Sequence, residues 1–234
     1  MIDIINFSKA YDKNKYVIKN LNLKVNDGEI FGFVGHNGAG KTTLIKSICG
    51  IQDFNEGDII INNISIKDDP YNCKKYIFYI PDNPEVYNTL KGIQYLNFIA
   101  DVYNIDINKR KEVINKYSKE FEIENDLNNL IGSYSRGMKQ KLIIIGSLIA
   151  NPKLLVLDEP FVGLDPIASH KLKEIMKSLT LSGSTVFFSS HVLEVVEKLC
   201  DRIAIIKKGE IVKVGTIKEI TNESLESFFI ELNE

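Results

Sequence analysis

The chain has 234 residues, of which 44 % are hydrophobic and 26 % charged, with only 6 prolines. That balance excludes a disordered, collagen-like or mucin-like chain and predicts one or two globular domains. The 29 Lys+Arg against 31 Asp+Glu leave a net charge of -2, which argues against a dedicated nucleic-acid clamp with its basic stripe.

The start, Met1-Ile2-Asp3-Ile4-Ile5-Asn6, has neither a basic leader nor a long apolar run, so no signal peptide is expected. Residues 2–5 read as a first strand, and Leu21-Asn22-Leu23-Lys24-Val25 alternates cleanly as a second. After Asp27-Gly28, Glu29-Ile30-Phe31-Gly32-Phe33-Val34 is an apolar run suited to a buried parallel strand. A helix is expected over Lys41–Cys49, then strands over 57–61 and 76–80. The middle of the chain changes character: Leu90, Ile93, Leu96, Phe98 and Ile99 recur at helical spacing among Asn, Lys and Glu.

From about residue 133 helix and strand alternate. A helix through 138–150 stops at Asn151-Pro152, and Leu154-Leu155-Val156-Leu157 follows as a buried strand. Helix 166–180, strand 185–188, helix 192–199 and strand 203–206 continue the series, which implies a parallel sheet with helices on its faces. The longest apolar stretch, Leu142 to Ala150, spans about 13 Å as a helix and cannot cross a hydrocarbon core of about 30 Å. Three scattered cysteines, Cys49, Cys73 and Cys200, have no CxxC spacing and are expected to be reduced, mostly buried thiols of an intracellular protein. The fold expected is an α/β core with a mainly parallel sheet, a short β-rich start and tail, and an inserted helical segment.

Chemistry enters at Gly35-His36-Asn37-Gly38-Ala39-Gly40-Lys41-Thr42-Thr43. This stretch fits G-x-x-x-x-G-K-[ST] between a strand and a helix, the context a phosphate-binding loop requires. Gly35, Gly38 and Gly40 permit turns that let backbone approach a polyphosphate, and successive N–H groups form an anion nest at a helix start. Lys41 supplies charge to the phosphates, and the Thr42 hydroxyl is a hard-oxygen ligand for Mg²⁺. The second element, Leu154-Leu155-Val156-Leu157-Asp158-Glu159-Pro160, delivers two carboxylates to the C-terminal edge of the sheet, where ligands of open α/β folds sit. Asp158 is expected to hold Mg²⁺, and Glu159 to polarise water for attack on the γ-phosphate. Together these elements read as a P-loop NTPase with Mg²⁺.

The remaining motifs say which kind. Tyr134-Ser135-Arg136-Gly137-Met138 before a helix resembles the LSGGQ signature of ATP-binding cassette (ABC) proteins, keeping Ser135 and Gly137. Gly163-Leu164-Asp165 resembles the D-loop, although Asp165 before Pro166 is equally a good helix cap. Ser190-His191 after a strand resembles the switch histidine, and Tyr11 is placed like the aromatic that stacks on adenine. The resemblance runs from about Ile2 to Gly215, and it is to ABC transporter ATP-binding subunits of the bacterial exporter-like kind.

The resemblance implies a P-loop NTPase core with an N-terminal antiparallel β subdomain and an inserted helical subdomain. The whole chain, 1–234, is then one ABC ATPase domain: core about 1–83 and 150–215, helical insertion about 84–149, tail 216–234. It further implies ATP bound by the loop residues Gly35 to Thr43 and, across a head-to-tail homodimer or pseudo-symmetric heterodimer, by the other chain's Ser135 and Gly137. Catalysis falls to Glu159 and His191, and Mg²⁺ to Thr42, Asp158 and Asp82. The last stands in Tyr79-Ile80-Pro81-Asp82, where the family carries Gln. A separate transmembrane permease, docked on the helical insertion, would hold the subunit at the inner face of the membrane. A non-transport ABC ATPase and a regulatory ATP-binding module are the alternative readings; retention of both Glu159 and His191 speaks against the second.

Overall fold

A computed structural model describes residues 1–12, 15–221 and 224–231. Apolar runs and alternating stretches sort the strands into two sheets. The first is antiparallel, in the order β2 (Lys15–Val25), β1 (Ile2–Asp12), β4 (Glu56–Ile61) and β5 (Ile64–Ser65). The second runs β10 (Glu210–Gly215), β9 (Arg202–Lys207), β3 (Ile30–Val34), β8 (Thr185–Ser190), β7 (Leu154–Asp158) and β6 (Ile77–Ile80). All its neighbours pair in parallel except β10 with β9. The α/β class expected from sequence therefore stands, with the antiparallel sheet at the N-terminal side.

Every residue of β3, β7 and β8 is buried, because the parallel sheet is covered on both faces. Period-2 alternation then divides each strand between two cores. Phe31, Phe33, Leu154, Val156 and Phe187 meet the antiparallel sheet and helix α1 (Lys41–Ile48). Ile30, Val34, Leu155, Leu157, Val186 and Phe188 face the other way, into the second core. That core also takes buried residues of α3 (Gly92–Val102), α4 (Ile107–Glu120), α5 (Arg136–Ala150), α6 (Pro166–Leu181) and α7 (Leu193–Leu199). The short α2 (Pro70–Lys74) precedes β6. The chain thus layers an antiparallel sheet with α1, a parallel sheet, and a helical layer.

Two local differences from the sequence reading have physical causes. β1 continues to Asp12 because irregular register beside β2 after Ile4, with Asn6 at φ 49°, lets the strand resume past the break in alternation. The tail is not only β-rich: after β10 come α8 (Ile217–Ile220), closed by a Thr216/Glu219 capping box, and α9 (Leu225–Glu231). Such short helices lack the periodic length that marks longer ones; the Leu225 N–H is bound by the Glu197 carboxylate at 2.9 Å. Of the expected tail 216–234, residues 222–223 and 232–234 lie outside the described residues. The three cysteines are free, with Cys49 and Cys73 buried; burial foremost, then the nearby Asp158 charge, pushes the Cys49 thiol up. Among the described residues no helix is long and apolar enough to cross a membrane.

Candidate functional site

The carboxyl ends of β3, β7 and β8 lie side by side, with Val34 paired to Ser190 and Asp158 to Ser189. That places the Gly35–Thr43 loop, the Asp158-Glu159 pair and the Ser189–His191 stretch at one edge. The loop turns sharply into α1: Gly38 and Gly40 have φ of 80° and 110°, values that L side chains rarely adopt. At Gly40 a Cβ would also sit 2.8 Å from the Ile18 side chain. The Ala39 N–H bonds the His36 carbonyl at 3.1 Å, and among the described residues no side chain caps the start of α1. An uncapped helix start with glycines before it is an anion site.

A cavity of about 370 Å³ opens over this loop, with Lys41, Thr42, Asp82, Asp158 and Glu159 in its wall. Lys41 is buried; its Nζ donates to the carbonyls of Gly35 at 2.6 Å and His36 at 3.4 Å. It also lies 3.4 Å from Glu159 Oε1, a buried oxygen with no hydrogen-bond partner among the described residues. Glu159 holds a left-handed backbone at φ 47°, a conformation that costs a non-glycine residue about 1–3 kcal/mol and clusters at functional sites. Its other oxygen, Oε2, is 2.9 Å from His191 Nδ1 and accepts the His191 N–H at 3.4 Å. Glu159 therefore bridges the loop lysine and the histidine.

Asp158 works on the other side of the same edge. Its Oδ2 accepts the Thr42 hydroxyl at 2.7 Å, and its Oδ1 accepts the Ser189 hydroxyl at 2.5 Å. Asp82 reaches the cavity wall from the segment after β6, but its Oδ1 is held by the Arg136 guanidinium at 2.7 Å. Arg136 also donates to the Asp82 carbonyl at 3.0 Å. The Tyr11 hydroxyl lies 3.2 Å from Thr43 Oγ1 and donates to Gln52 at 3.0 Å, while Lys9 Nζ sits 5.4 Å from its ring centroid. The His36 ring leaves the loop for α9, edge-on to Phe229 at 5.2 Å; Asn37 and Gly38 are exposed and Ala39 is buried.

Within one chain Ser135 and Gly137 are absent from the wall of this cavity. Ser135 instead caps α5 by accepting the Met138 N–H at 3.2 Å. Two residues not singled out by sequence, Val17 and Ser189, join the site: Val17 in the wall and Ser189 on Asp158. No local signal marks Ser189: its role comes from standing opposite Asp158 in the parallel pairing of β8 with β7. Lys41, the Asp158 and Glu159 carboxylates, the Thr42 hydroxyl and the His191 imidazole thus meet above a glycine loop. Such a set can neutralise a polyphosphate, offer hard oxygens to a divalent cation and hold a carboxylate ready to accept a proton.

Comparison with known proteins places the chain in a family. Residues 18–162 match the family model described as ABC transporter. The chain is 32 % identical to the ABC-type transporter ATP-binding protein EcsA of Bacillus subtilis (strain 168), covering 99 % of this chain and 96 % of that protein. A solved ATP-binding subunit of an ABC transporter superposes with a TM-score of 0.95 at 31 % identity, covering 100 % of both chains. A dimeric bacterial ABC transporter cassette superposes at 0.83 with 25 % identity, covering 92 % of this chain and 98 % of that one. With the loop, the Asp-Glu strand end and the histidine gathered at one sheet edge, this chain belongs to the ABC transporter family and is one of its ATP-binding, ATP-hydrolysing subunits.

Proposed function

We propose that the chain powers an exporter-like membrane transporter whose transmembrane permease is a separate polypeptide, and that it does so by ATP-dependent pairing of two ATPase subunits. The observation that carries this reading is the Lys41–Glu159–His191 array beside Thr42–Asp158. In this proposal residues 1–234 form one ATPase domain with a helical insertion at about 84–149 that receives the permease, keeping the subunit on the cytoplasmic face of the membrane. Tyr11 meets the adenine, and the Gly35–Thr43 loop wraps the phosphates. Lys41 exchanges the Gly35 and His36 carbonyls for β- and γ-phosphate oxygens.

The donor set fits Mg²⁺. Thr42 and Asp158 offer hard oxygens, and among the described residues no three His, Cys, Asp or Glu side chains converge into an all-protein cage; Mg²⁺ characteristically takes one or two protein oxygens and completes its shell with phosphates and water. Asp82 stands close enough to the same cavity to act as a third ligand once Arg136 releases it. When bound, Mg²⁺ supplies charge neutralisation at the transferring phosphoryl group. Glu159 takes the proton of the attacking water, and His191 holds Glu159 oriented and contacts the γ-phosphate. The test is Glu159→Gln. Nucleotide binding is expected to persist while turnover falls about 10²–10⁴-fold, the usual worth of a general base. A fully active variant assigns the base elsewhere. Affinity capture from native membranes should co-purify a polytopic partner; recovery of none contradicts the transporter reading.

A further inference from the structure

β7 and β8 pair in parallel with Asp158 opposite Ser189. Ser189 is completely buried, so its hydroxyl has only protein to bond. It donates to Asp158 Oδ1 at 2.5 Å and accepts the Glu159 N–H at 3.1 Å. One hydroxyl thereby grips the side chain of one carboxylate residue and the backbone of the next. Both are consequential bonds. The first leaves Asp158 Oδ2 aimed at Thr42; the second satisfies an N–H displaced from helix or sheet pairing by the left-handed turn at Glu159. The neighbouring Ser190 does not share this task, since its Oγ accepts the Val192 N–H at 3.0 Å.

We infer that Ser189 is a positioning residue of the hydrolytic site: through its single hydroxyl it sets the rotamer of Asp158 for Mg²⁺ and the backbone turn that aims Glu159 between Lys41 and His191. The inference rests on the proposed roles of Asp158 and Glu159 and adds to them the group that fixes both. A carboxylate with one oxygen pinned presents the other in one direction, whereas a free one samples many. Partners that orient a metal ligand in this way typically contribute 10–100-fold to metal affinity or activity.

The experiment compares Ser189→Ala, Ser189→Thr, Ser190→Ala and Asp158→Asn in the full chain. Binding of Mn²⁺ as a spectroscopic stand-in for Mg²⁺ is measured with a non-hydrolysable ATP analogue, alongside analogue affinity in EDTA, kcat, KM and Tm. Ser189→Ala is expected to weaken Mn²⁺ binding about 10-fold or more and lower kcat by a similar factor. Analogue affinity in EDTA and KM should change less than about twofold, because the phosphate loop is untouched. Ser189→Thr retains the hydroxyl and should recover most of both losses, and Ser190→Ala should keep parental Mn²⁺ affinity. A Ser189→Ala variant that only loses Tm, with Mn²⁺ affinity and kcat intact, overturns the inference by making the serine purely structural. Equal effects from Ser190→Ala overturn it as well. If Ser189→Ala is silent while Asp158→Asn weakens Mn²⁺ binding, the inference falls and the proposed metal site stands. If both are silent, the metal-site reading falls and takes the inference with it.

Discussion

At the scale of single residues, the site is held by charges that depend on one another. Lys41 and Glu159 are both largely buried, and each is the other's nearby opposite charge. Removing one partner of a buried pair leaves an uncompensated charge, which costs more than the pair contributes. Lys41→Ala is therefore expected to do two separable things. ATP binding should weaken at least about 10-fold, since charge-assisted hydrogen bonds contribute roughly 1.5–3 kcal/mol each. Tm should also fall without nucleotide, because Glu159 then retains only His191. The double variant Lys41→Ala/Glu159→Gln should regain part of that Tm but none of the ATP affinity. Calorimetric titration and thermal unfolding of the two variants check this; additive losses in Tm would show that the ion pair has no coupling energy.

At the scale of elements, two helix starts tie neighbouring segments together. Arg136, the first residue of α5, grips Asp82 after β6, so in the proposed metal site its guanidinium would compete with the cation for one carboxylate. The two substitutions then act with opposite sign on Mg²⁺ dependence. Asp82→Asn should raise the Mg²⁺ midpoint of ATPase activity. Arg136→Ala should lower it, by up to about fivefold, the limit for a half-exposed ion pair worth no more than about 1 kcal/mol. Unmoved midpoints in both variants would remove Asp82 from the metal site. Asp165 starts α6: Oδ1 accepts the Ala168 N–H at 2.8 Å, and Oδ2 meets Lys141 of α5 at 2.8 Å. The Ala168 N–H foremost, then Lys141, holds its carboxyl below the usual carboxylate range. The depressed folded value means its stabilisation is complete above the unfolded carboxylate pKa and is lost as pH falls through the folded one. Asp165→Ala should cost about 1 kcal/mol at neutral pH, about 2–4 °C in Tm, and the difference from parent should vanish in acid. Asp165 was legible in sequence as a cap because Asp-Pro is a local signal. The phosphate loop and Asp158 were legible for the same reason, each being a contiguous motif against an apolar strand. Arg136–Asp82 and Ser189–Asp158 were not, because each joins residues tens of positions apart whose meeting depends on sheet order. β1 past Asn6 and α9 were missed for a different reason: irregular register and short length erase the periodicity that sequence reading relies on.

At the scale of the whole molecule, the residues expected to bind nucleotide do not all meet within one chain. The loop, Asp158, Glu159 and His191 converge, whereas Ser135 and Gly137 stay outside the cavity at the start of α5. In the proposed head-to-tail pair, that helix start would face the other chain's γ-phosphate and bring a second positive dipole end to it. In that proposal the two chains stay paired while the shared triphosphate is intact. Blocking hydrolysis with Glu159→Gln should thus convert the chain to a dimer on size exclusion in ATP and Mg²⁺, and ADP should return it to monomer. Ser135 permits a sharper test, because its hydroxyl also caps α5. Asp caps as well as Ser, so Ser135→Asp preserves the helix start and the fold while adding a negative charge where the partner's triphosphate is proposed to lie. In the Glu159→Gln background this substitution should abolish the ATP-dependent dimer, yet leave Tm and single-chain ATP affinity within about twofold of parent. Raised salt should restore dimer only weakly, since charges desolvated in an interface are screened less than surface ones. A dimer that persists with Ser135→Asp would show that the two chains meet through some other face, and the trans contribution of Ser135 and Gly137 would fall with it.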